Sequence, residues 1–304
     1  VNFNVSILGS SSALPTSNRY PTAHLVNHDE RFFLIDCGEG TQMQLRKNHL
    51  PMSKINHIFI SHLHGDHVFG LIGFLSSLSM LNRAGEVHIH AHQPLEKYLN
   101  DSLKFFDSNL NFKLVFHALS DKGFTMVYED KKLEIFSFPL LHRIPCCGFL
   151  FREKPKLLNL RKDVIEKYDI PNHYRQRIKM GEDFVNVNGD IIKNELLTLP
   201  PAAPLSYAFV TDTIYKPYWA KFLADIDLLY HESTFAHDDL KLARQTFHST
   251  AVQAAQMAKL CNAKKLVIGH FSARYSDLSV LQAEAAAIFP NTYLANEGEK
   301  HVIN

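Results

Sequence analysis

Eight short apolar runs recur along the chain: "VSILG", "RFFLIDCG", "HIFISH", "EVHIHAH", "LEIFSFPLLH", "YAFVTDT", "DLLYHES" and "KKLVIGH". Their Val, Ile and Phe content and their length predict buried strands, because branched and aromatic side chains fill a pleated surface well. Helical periodicity appears between them, over Gly40 to Asn48, over Gly70 to Leu81, and in "STAVQAAQMAKLCNA" from Ser249, where Ser and Thr supply a cap and alanines raise propensity. Strands often follow one another in the first half and helices intervene mainly later. The expected architecture is an α/β sandwich, with two mixed sheets inside and helices outside.

Composition narrows the setting. With 304 residues, 46% of them apolar and 21% charged, the chain can bury one large core or two ordinary ones, which excludes a disordered or fibrous protein. No run reaches the eighteen or so apolar residues of a membrane helix, and the longest, Val68 to Leu81, is broken by serines and glycines. The opening "VNFNVSILG" reads as a strand rather than a signal peptide, so a soluble cytoplasmic protein is expected. Cys37, Cys146, Cys147 and Cys261 form no framework or CxxC pair and read as buried reduced thiols. A net charge of +1 excludes nucleic-acid binding by bulk charge; such a partner needs a local basic patch.

One segment has that bias. From Phe151 to Met180 nine basic side chains face four acidic ones, a net +5 within a chain of +1, with Tyr168, His173 and Tyr174 interleaved. No strand alternation is evident there.

The chemistry concentrates elsewhere, in "HLHGDH". Side chains at i and i+2 of an extended segment point the same way, so His62 and His64 can converge on one ion while Asp66 and His67 turn toward a second. Gly65 is read as permitting a sharp turn. His88, His90 and His92 of "VHIHAH", by contrast, read as a solvated strand face. Three more candidates each follow an apolar run: His142, Asp212 and His270. Side chains at the C-terminal lips of several strands can meet at one sheet edge. Counting ligands favours two metal ions, with His62, His64 and His142 on one, Asp66, His67 and His270 on the other, and Asp212 bridging. Imidazole and carboxylate suit zinc, and two cations about 3.5 to 4 Å apart lower the pKa of water toward neutrality, so hydrolysis is the natural chemistry.

The HxHxDH signature with distant His, Asp and His resembles the metallo-β-lactamase fold hydrolases. Further motifs resemble ribonuclease Z within that group: "LGSSSALPTSNRYPTA", "LIDCGEGTQMQL", "YHEST" (with Ser233 where the family has alanine), "FHST" and "GHFSARY", in order along the chain. The resemblance implies one domain over 1–304, a four-layer αββα sandwich, and two zinc ions per chain. It implies an endoribonuclease that removes the 3′ trailer of precursor tRNA after the discriminator nucleotide. It makes His248 a general acid or transition-state stabiliser oriented by Glu232, and gives Asp66 a possible second role as base. It turns the basic segment, over 151–195, into an inserted tRNA-binding arm. Lys154, Lys156, Arg161, Lys162, Arg175, Arg177 and Lys179 are its candidate phosphate contacts, with Arg274 near the metals. The family's arm is rich in Gly and Pro, whereas this one has Pro155 and Pro171 and no glycine before Gly181. A homodimer is also implied. The rivals are another hydrolase on the same fold (phosphodiesterase, arylsulfatase or lactonase), which has no need of a basic arm, and a non-catalytic tRNA-binding protein, which has no need of the ligands.

Overall fold

The computed structural model describes residues 2–106 and 109–304. The strands in chain order are β1 (Phe3–Gly9), β2 (Ala23–His28), β3 (Arg31–Ile35), β4 (Ile55–Phe59), β5 (Glu86–Ala91), β6 (Lys113–Ala118), β7 (Thr125–Glu129), β8 (Leu133–Leu140) and β9 (Cys146–Glu153). Four two-residue strands follow: β10 (Asn159–Leu160), β11 (Phe184–Val185), β12 (Ile191–Ile192) and β13 (Thr198–Leu199). The last five are β14 (Ser206–Val210), β15 (Leu228–Glu232), β16 (Lys265–Gly269), β17 (Thr292–Leu294) and β18 (Lys300–Val302).

The chain divides into two compact units. The larger comprises the residues up to Asp130, Glu134–Arg152 and Leu205–Asn304. It holds two seven-stranded sheets, ordered β18-β1-β2-β3-β4-β5-β6 and β17-β16-β15-β14-β9-β8-β7. Both are mixed: the first turns from antiparallel to parallel at β3/β4, and the second is parallel from β14 to β17 but antiparallel at β9/β14.

Aromatic rings fill the space between the sheets, with Phe33 and Phe59 from the first meeting Phe151 and Phe149 from the second at centroid distances of 5.8 and 5.4 Å. On the far side of the first sheet, helices Thr41–Lys47, Leu71–Met80 and Pro94–Phe105 lay Leu45, Phe74, Leu75 and Leu95 over Leu34, Ile58 and Ile89. On the far side of the second, helices Ala251–Leu260 and Ser279–Ala286 pack Ala254, Ala258 and Leu281 over Ala208, Leu229 and Leu266. The layers are therefore helix, sheet, sheet, helix. The helix from Ala251 starts where its cap was expected, at a capping box in which Thr250 accepts from the Gln253 N–H and the Gln253 side chain accepts from the Thr250 N–H.

Two readings need correction. His90 and His92 are buried, not solvated. A parallel strand in the middle of a sheet is covered on both faces, and β5 lies between β4 and β6. His90 stacks on Phe59 and His117 at 4.3 and 4.5 Å, and its Nε2 lies 3.1 Å from His57 Nδ1. The second correction concerns Phe151, a fully buried member of β9 rather than part of a strandless segment.

The smaller unit comprises Lys131–Leu133 and Glu153–Pro204. Its main stretch, Glu153–Pro204, begins and ends later than the span 151–195 marked by basic bias, and Lys131–Leu133 adds a piece from earlier in the chain. Its own core gathers Val164, Ile178 and Leu197 from helices Lys162–Lys167, Asn172–Lys179 and Asn194–Leu197, Phe184 and Ile192 from the short strands β11 and β12, and Ile170 from the link between the first two helices. In the larger unit Arg152 and Ser206 are direct partners in the β9/β14 ladder. In the sequence, the main stretch of the smaller unit lies between these two residues. No helix among the described residues is long and apolar enough to cross a membrane.

Burial and neighbouring histidines hold His57 down to about 3 and His90 to about 2, so both rings fold in the neutral form. In the unfolded chain they titrate near 6.5. The unfolded state therefore binds more protons below that pH, and stability declines as pH falls from about 6.5, by up to about 1.4 kcal/mol per pH unit for His90. Urea unfolding at pH 7.5 and 5.0 should show a smaller loss at pH 5.0 for His90→Phe than for the wild type; equal losses would contradict this reading.

Candidate active site

Strand ends of both sheets supply one constellation of side chains. Asp36 follows β3, His62 lies just beyond β4, His142 beyond β8, Asp212 beyond β14 and His270 directly after β16, while Glu232 closes β15. After His62 the chain continues through Leu63 and His64 into the short helix Gly65–Val68, which carries Asp66 and His67. Gly65 does not adopt a positive φ, so no sharp turn calls for glycine there; a Cβ would lie 2.1 Å from the exposed Phe69 ring, which would have to turn aside.

Three groups of ligand-type atoms result, each within 4.8 Å: His62, His64, His142 and Asp212 in one, Asp66, His67 and His270 in another, and Asp212, His248 and His270 in a third that overlaps them. Asp212 spans the first two. Its Oδ2 is 3.5 Å from His62 Nε2 and 3.8 Å from His142 Nε2, and its Oδ1 is 3.5 Å from His67 Nε2 and 3.1 Å from His270 Nε2. Asp66 Oδ2 lies 3.5 Å from His67 Nε2 and 3.6 Å from His270 Nε2, and accepts the Ala13 N–H at 2.8 Å.

The outer nitrogens of these rings are held. His67 Nδ1 lies 2.6 Å from Asp36 Oδ2, His142 Nδ1 is 3.0 Å from the Phe247 carbonyl, His270 Nδ1 is 2.9 Å from Thr234 Oγ1, and His62 Nδ1 is 3.1 Å from Ser61 Oγ. Fixing the outer nitrogen points the inner one at a metal and sets its tautomer. Asp36 is held in turn by the Ser61 N–H and hydroxyl at 2.7 and 2.8 Å. Asp36, Phe247 and His270 adopt φ of 55°, 64° and 60°, and such backbone strain persists where surrounding structure demands it.

The residues fit a metal pair. His67 Nε2 and His270 Nε2 are buried without a hydrogen-bond partner, and His64 Nδ1 faces His62 Nε2 and His142 Nε2 at 3.0 and 3.1 Å. Burial, with His67 adding to it, keeps His62 well below its ordinary pKa and hence neutral, its lone pair free. Burial also opposes charge on His67, yet Asp66, Asp36 and Asp212 raise its pKa well above normal. Carboxylates there favour positive charge, which a bound cation would supply.

Beside these groups lies a second pair. The Glu232 carboxylate is fully buried and accepts from the N–H groups of Thr213, Thr234 and Ser249 and from the Thr234 hydroxyl, at 2.7 to 3.1 Å. Its Oε1 is 3.1 Å from His248 Nδ1. Burial lowers the His248 pKa but Glu232 outweighs it, and the imidazole is raised to about 9. His248, His64, Asp66, His142 and His270 all line an open cleft of about 670 Å³.

The basic candidates fall elsewhere. Lys156 pairs with Glu153, Arg161 with Asp163 and Arg177 with Glu182, at 2.6 to 2.8 Å. Lys162 and Lys179 show no ion pair among the described residues, Arg175 has a buried Nε without a partner, and Lys154 bonds through its backbone to Lys132. Arg274 is held by Asp239 at 3.2 Å and lies over the Phe235 ring. The cation that lines the cleft is Arg143, which the sequence did not single out although it directly follows His142. Asp36 and Thr234 were missed too; "LIDCG" and "HEST" contain them, but only the fold brings their oxygens to the histidines.

A family model described as Anti-Pycsar protein Apyc1 matches residues 3–158. It stops before Asp212, Glu232, His248 and His270. Relatives named Ribonuclease Z match almost end to end: one from Bacteroides fragilis is 48% identical over 97% of this chain and 97% of its own, and one from Bacteroides thetaiotaomicron is 49% identical over 99% and 96%. This chain belongs to the ribonuclease Z family. Human tRNase Z, short form, agrees in structure, with a TM-score of 0.72 at 25% identity over 99% of each chain. YhfI, a metallo-β-lactamase fold protein of Bacillus subtilis, shares the fold at a TM-score of 0.68 and 17% identity, covering 99% of this chain and all of its own. The αββα sandwich is thus the metallo-β-lactamase fold.

In this ribonuclease Z family member Asp36 is the carboxylate behind a candidate ligand. Asp36→Asn should weaken metal binding about 10- to 100-fold, as loss of such partners typically does. Competition with a chromophoric chelator measures this; unchanged affinity with unchanged circular dichroism would refute the role.

Proposed function

We propose that this chain is a zinc-dependent endoribonuclease of the cytoplasm. It removes the 3′ trailer of precursor tRNA by hydrolysing the phosphodiester after the discriminator nucleotide, leaving a tRNA 3′ hydroxyl and a trailer with a 5′ phosphate. The observation that carries the reading is the placement of a carboxylate-held imidazole, His248 on Glu232, in the same cleft as two groups of metal ligands. Membership of the ribonuclease Z family supports the substrate.

His62, His64 and His142 would hold one zinc ion, Asp66, His67 and His270 the other, and Asp212 would touch both. When bound, the pair supplies positive charge for the transition state and makes water a better nucleophile near neutral pH. Water adds to phosphorus as the bond to the 3′ oxygen breaks. His248 keeps Nδ1 on Glu232 and has Nε2 available to donate a proton to that departing oxygen, and its charge also offsets that gathering on phosphorus. Arg143, exposed at the rim, can engage the same phosphate or its neighbour.

The inserted unit serves as the tRNA-binding arm. Lys162 and Lys179 are its readiest phosphate contacts, since Lys156, Arg161 and Arg177 already have carboxylate partners. The arm stands on its own apolar core in place of a Gly/Pro-rich ribbon. A homodimer would let the arm of one subunit serve the active site of the other.

Proton donation by His248 matters only when the leaving group is a poor one. His248→Ala should lower cleavage of a precursor tRNA about 10²- to 10⁴-fold. Hydrolysis of a p-nitrophenyl phosphodiester, whose phenolate needs no proton, should fall far less, with metal content unchanged. Equal losses on both substrates would contradict the general-acid role. A wild type that hydrolyses the small diester but no precursor would point to the rival phosphodiesterase.

A further inference from the structure

A second groove, of about 320 Å³, is lined by Pro139, Leu140, Leu141, Lys216, Tyr218 and Trp219. We propose that it binds the single-stranded trailer of the precursor, taking one or more unpaired bases against Tyr218 and Trp219 and the adjoining phosphates on Lys216 and Lys221. The proposal rests on the endonuclease reading for the identity of its ligand.

Position is the first argument. Leu141 immediately precedes His142, and the Ile214 N–H, two residues past Asp212, donates to the Leu141 carbonyl at 3.0 Å. The groove is therefore built on the same stretches of backbone as two candidate ligands. In a precursor tRNA the acceptor stem is paired, and the trailer is the strand whose base faces are free.

Chemistry is the second. Tyr218 is 57% exposed and Leu141 41%, so the groove opens aromatic and apolar surface to solvent. Lys221 Nζ sits 3.9 Å from the centroid of the Tyr218 ring, and Lys216 lines the groove. Neither lysine has an ion-pair partner among the described residues, so the patch combines exposed aromatic surface, part of it beneath Lys221, with positive charge that no carboxylate neutralises. Stacking platforms flanked by cations are how proteins take up single-stranded nucleic acid without reading its sequence. An apolar peptide or lipid chain would offer neither lysine an anion, whereas phosphates do.

Rigidity is the third. Trp219 is wedged against Phe138, Phe222 and Tyr218 at centroid distances of 5.7, 5.9 and 5.0 Å, so the platform is set before a base arrives. Its consequence for catalysis is a preference for longer trailers. A one-nucleotide trailer would end short of the platform, and a six-nucleotide trailer would cross it.

Trp219 is the only tryptophan in the chain, so its fluorescence reports on the groove directly. The test titrates the metal-loaded protein with 5′-phosphorylated hexauridylate and compares cleavage of precursors carrying one- and six-nucleotide trailers. We expect saturable quenching and a kcat/KM about tenfold higher for the longer trailer, the size of one base–aromatic stack. Tyr218→Ala and Lys216→Glu/Lys221→Glu should weaken the quenching about tenfold or more and cut both precursors at the short-trailer rate, while Tyr218→Phe keeps the preference. No quenching by the oligonucleotide, or an equal effect of the variants on both trailers, would overturn the groove's role. Failure of the wild type to cut either precursor would instead remove the endonuclease reading, and the quenching would still decide whether the groove takes single-stranded RNA.

Discussion

Imidazole lone pairs facing one another inside a protein need a cation between them, and the edge of this sandwich is arranged around that need. His62, His64 and His142 bring ring nitrogens to within about a hydrogen-bond length of each other, and His67 and His270 turn partnerless nitrogens inward. In isolation such an arrangement is unfavourable, since buried polar atoms without partners each cost about 1 to 3 kcal/mol. It is held by outer hydrogen bonds to Asp36, Thr234, Ser61 and the Phe247 carbonyl, and by residues kept at positive φ. Ends of strands from both sheets meet here and bring side chains from several segments to one place.

The same logic explains the position of His248. Glu232 lies in β15, fully buried, and four donors fix its carboxylate before it meets the imidazole. A buried carboxylate so held stays ionised, and it favours the protonated form of its partner. Thr234 links the two halves of the site: its hydroxyl donates to Glu232 Oε2 and lies 2.9 Å from the outer nitrogen of His270. The candidate ligand His270 and the His248–Glu232 pair are thus joined in one hydrogen-bonded assembly.

Much of this was legible in the sequence, for identifiable reasons. Each of the eight apolar runs contributes a strand, since their residue types and lengths admit little else. "HLHGDH" concentrates ligand types too densely for a bland surface, and His142, Asp212 and His270 gained meaning from standing just after such runs. Other features depend on packing alone. The alternating histidines of "VHIHAH" looked half-solvated because the pattern cannot tell a central parallel strand from an edge one; His90 stacks in the interior instead. Asp36 sits in a short "IDCG" stretch with no sign that His67 will reach it across 31 positions of sequence. In the basic segment the charge bias was plain, but the pairing of Arg161 with Asp163 and Arg177 with Glu182, and the small core beneath them, follow from helices that bias conceals.

The central claim is that two ligand groups sharing Asp212 hold a pair of zinc ions. Elemental analysis of protein purified without chelator, combined with X-ray absorption at the zinc edge, tests it most directly. The account predicts about two zinc ions per chain, ligated by nitrogen and oxygen only, with a metal–metal scattering feature. A single ion without that feature, or sulfur in the coordination shell from any of the four buried cysteines, would contradict it.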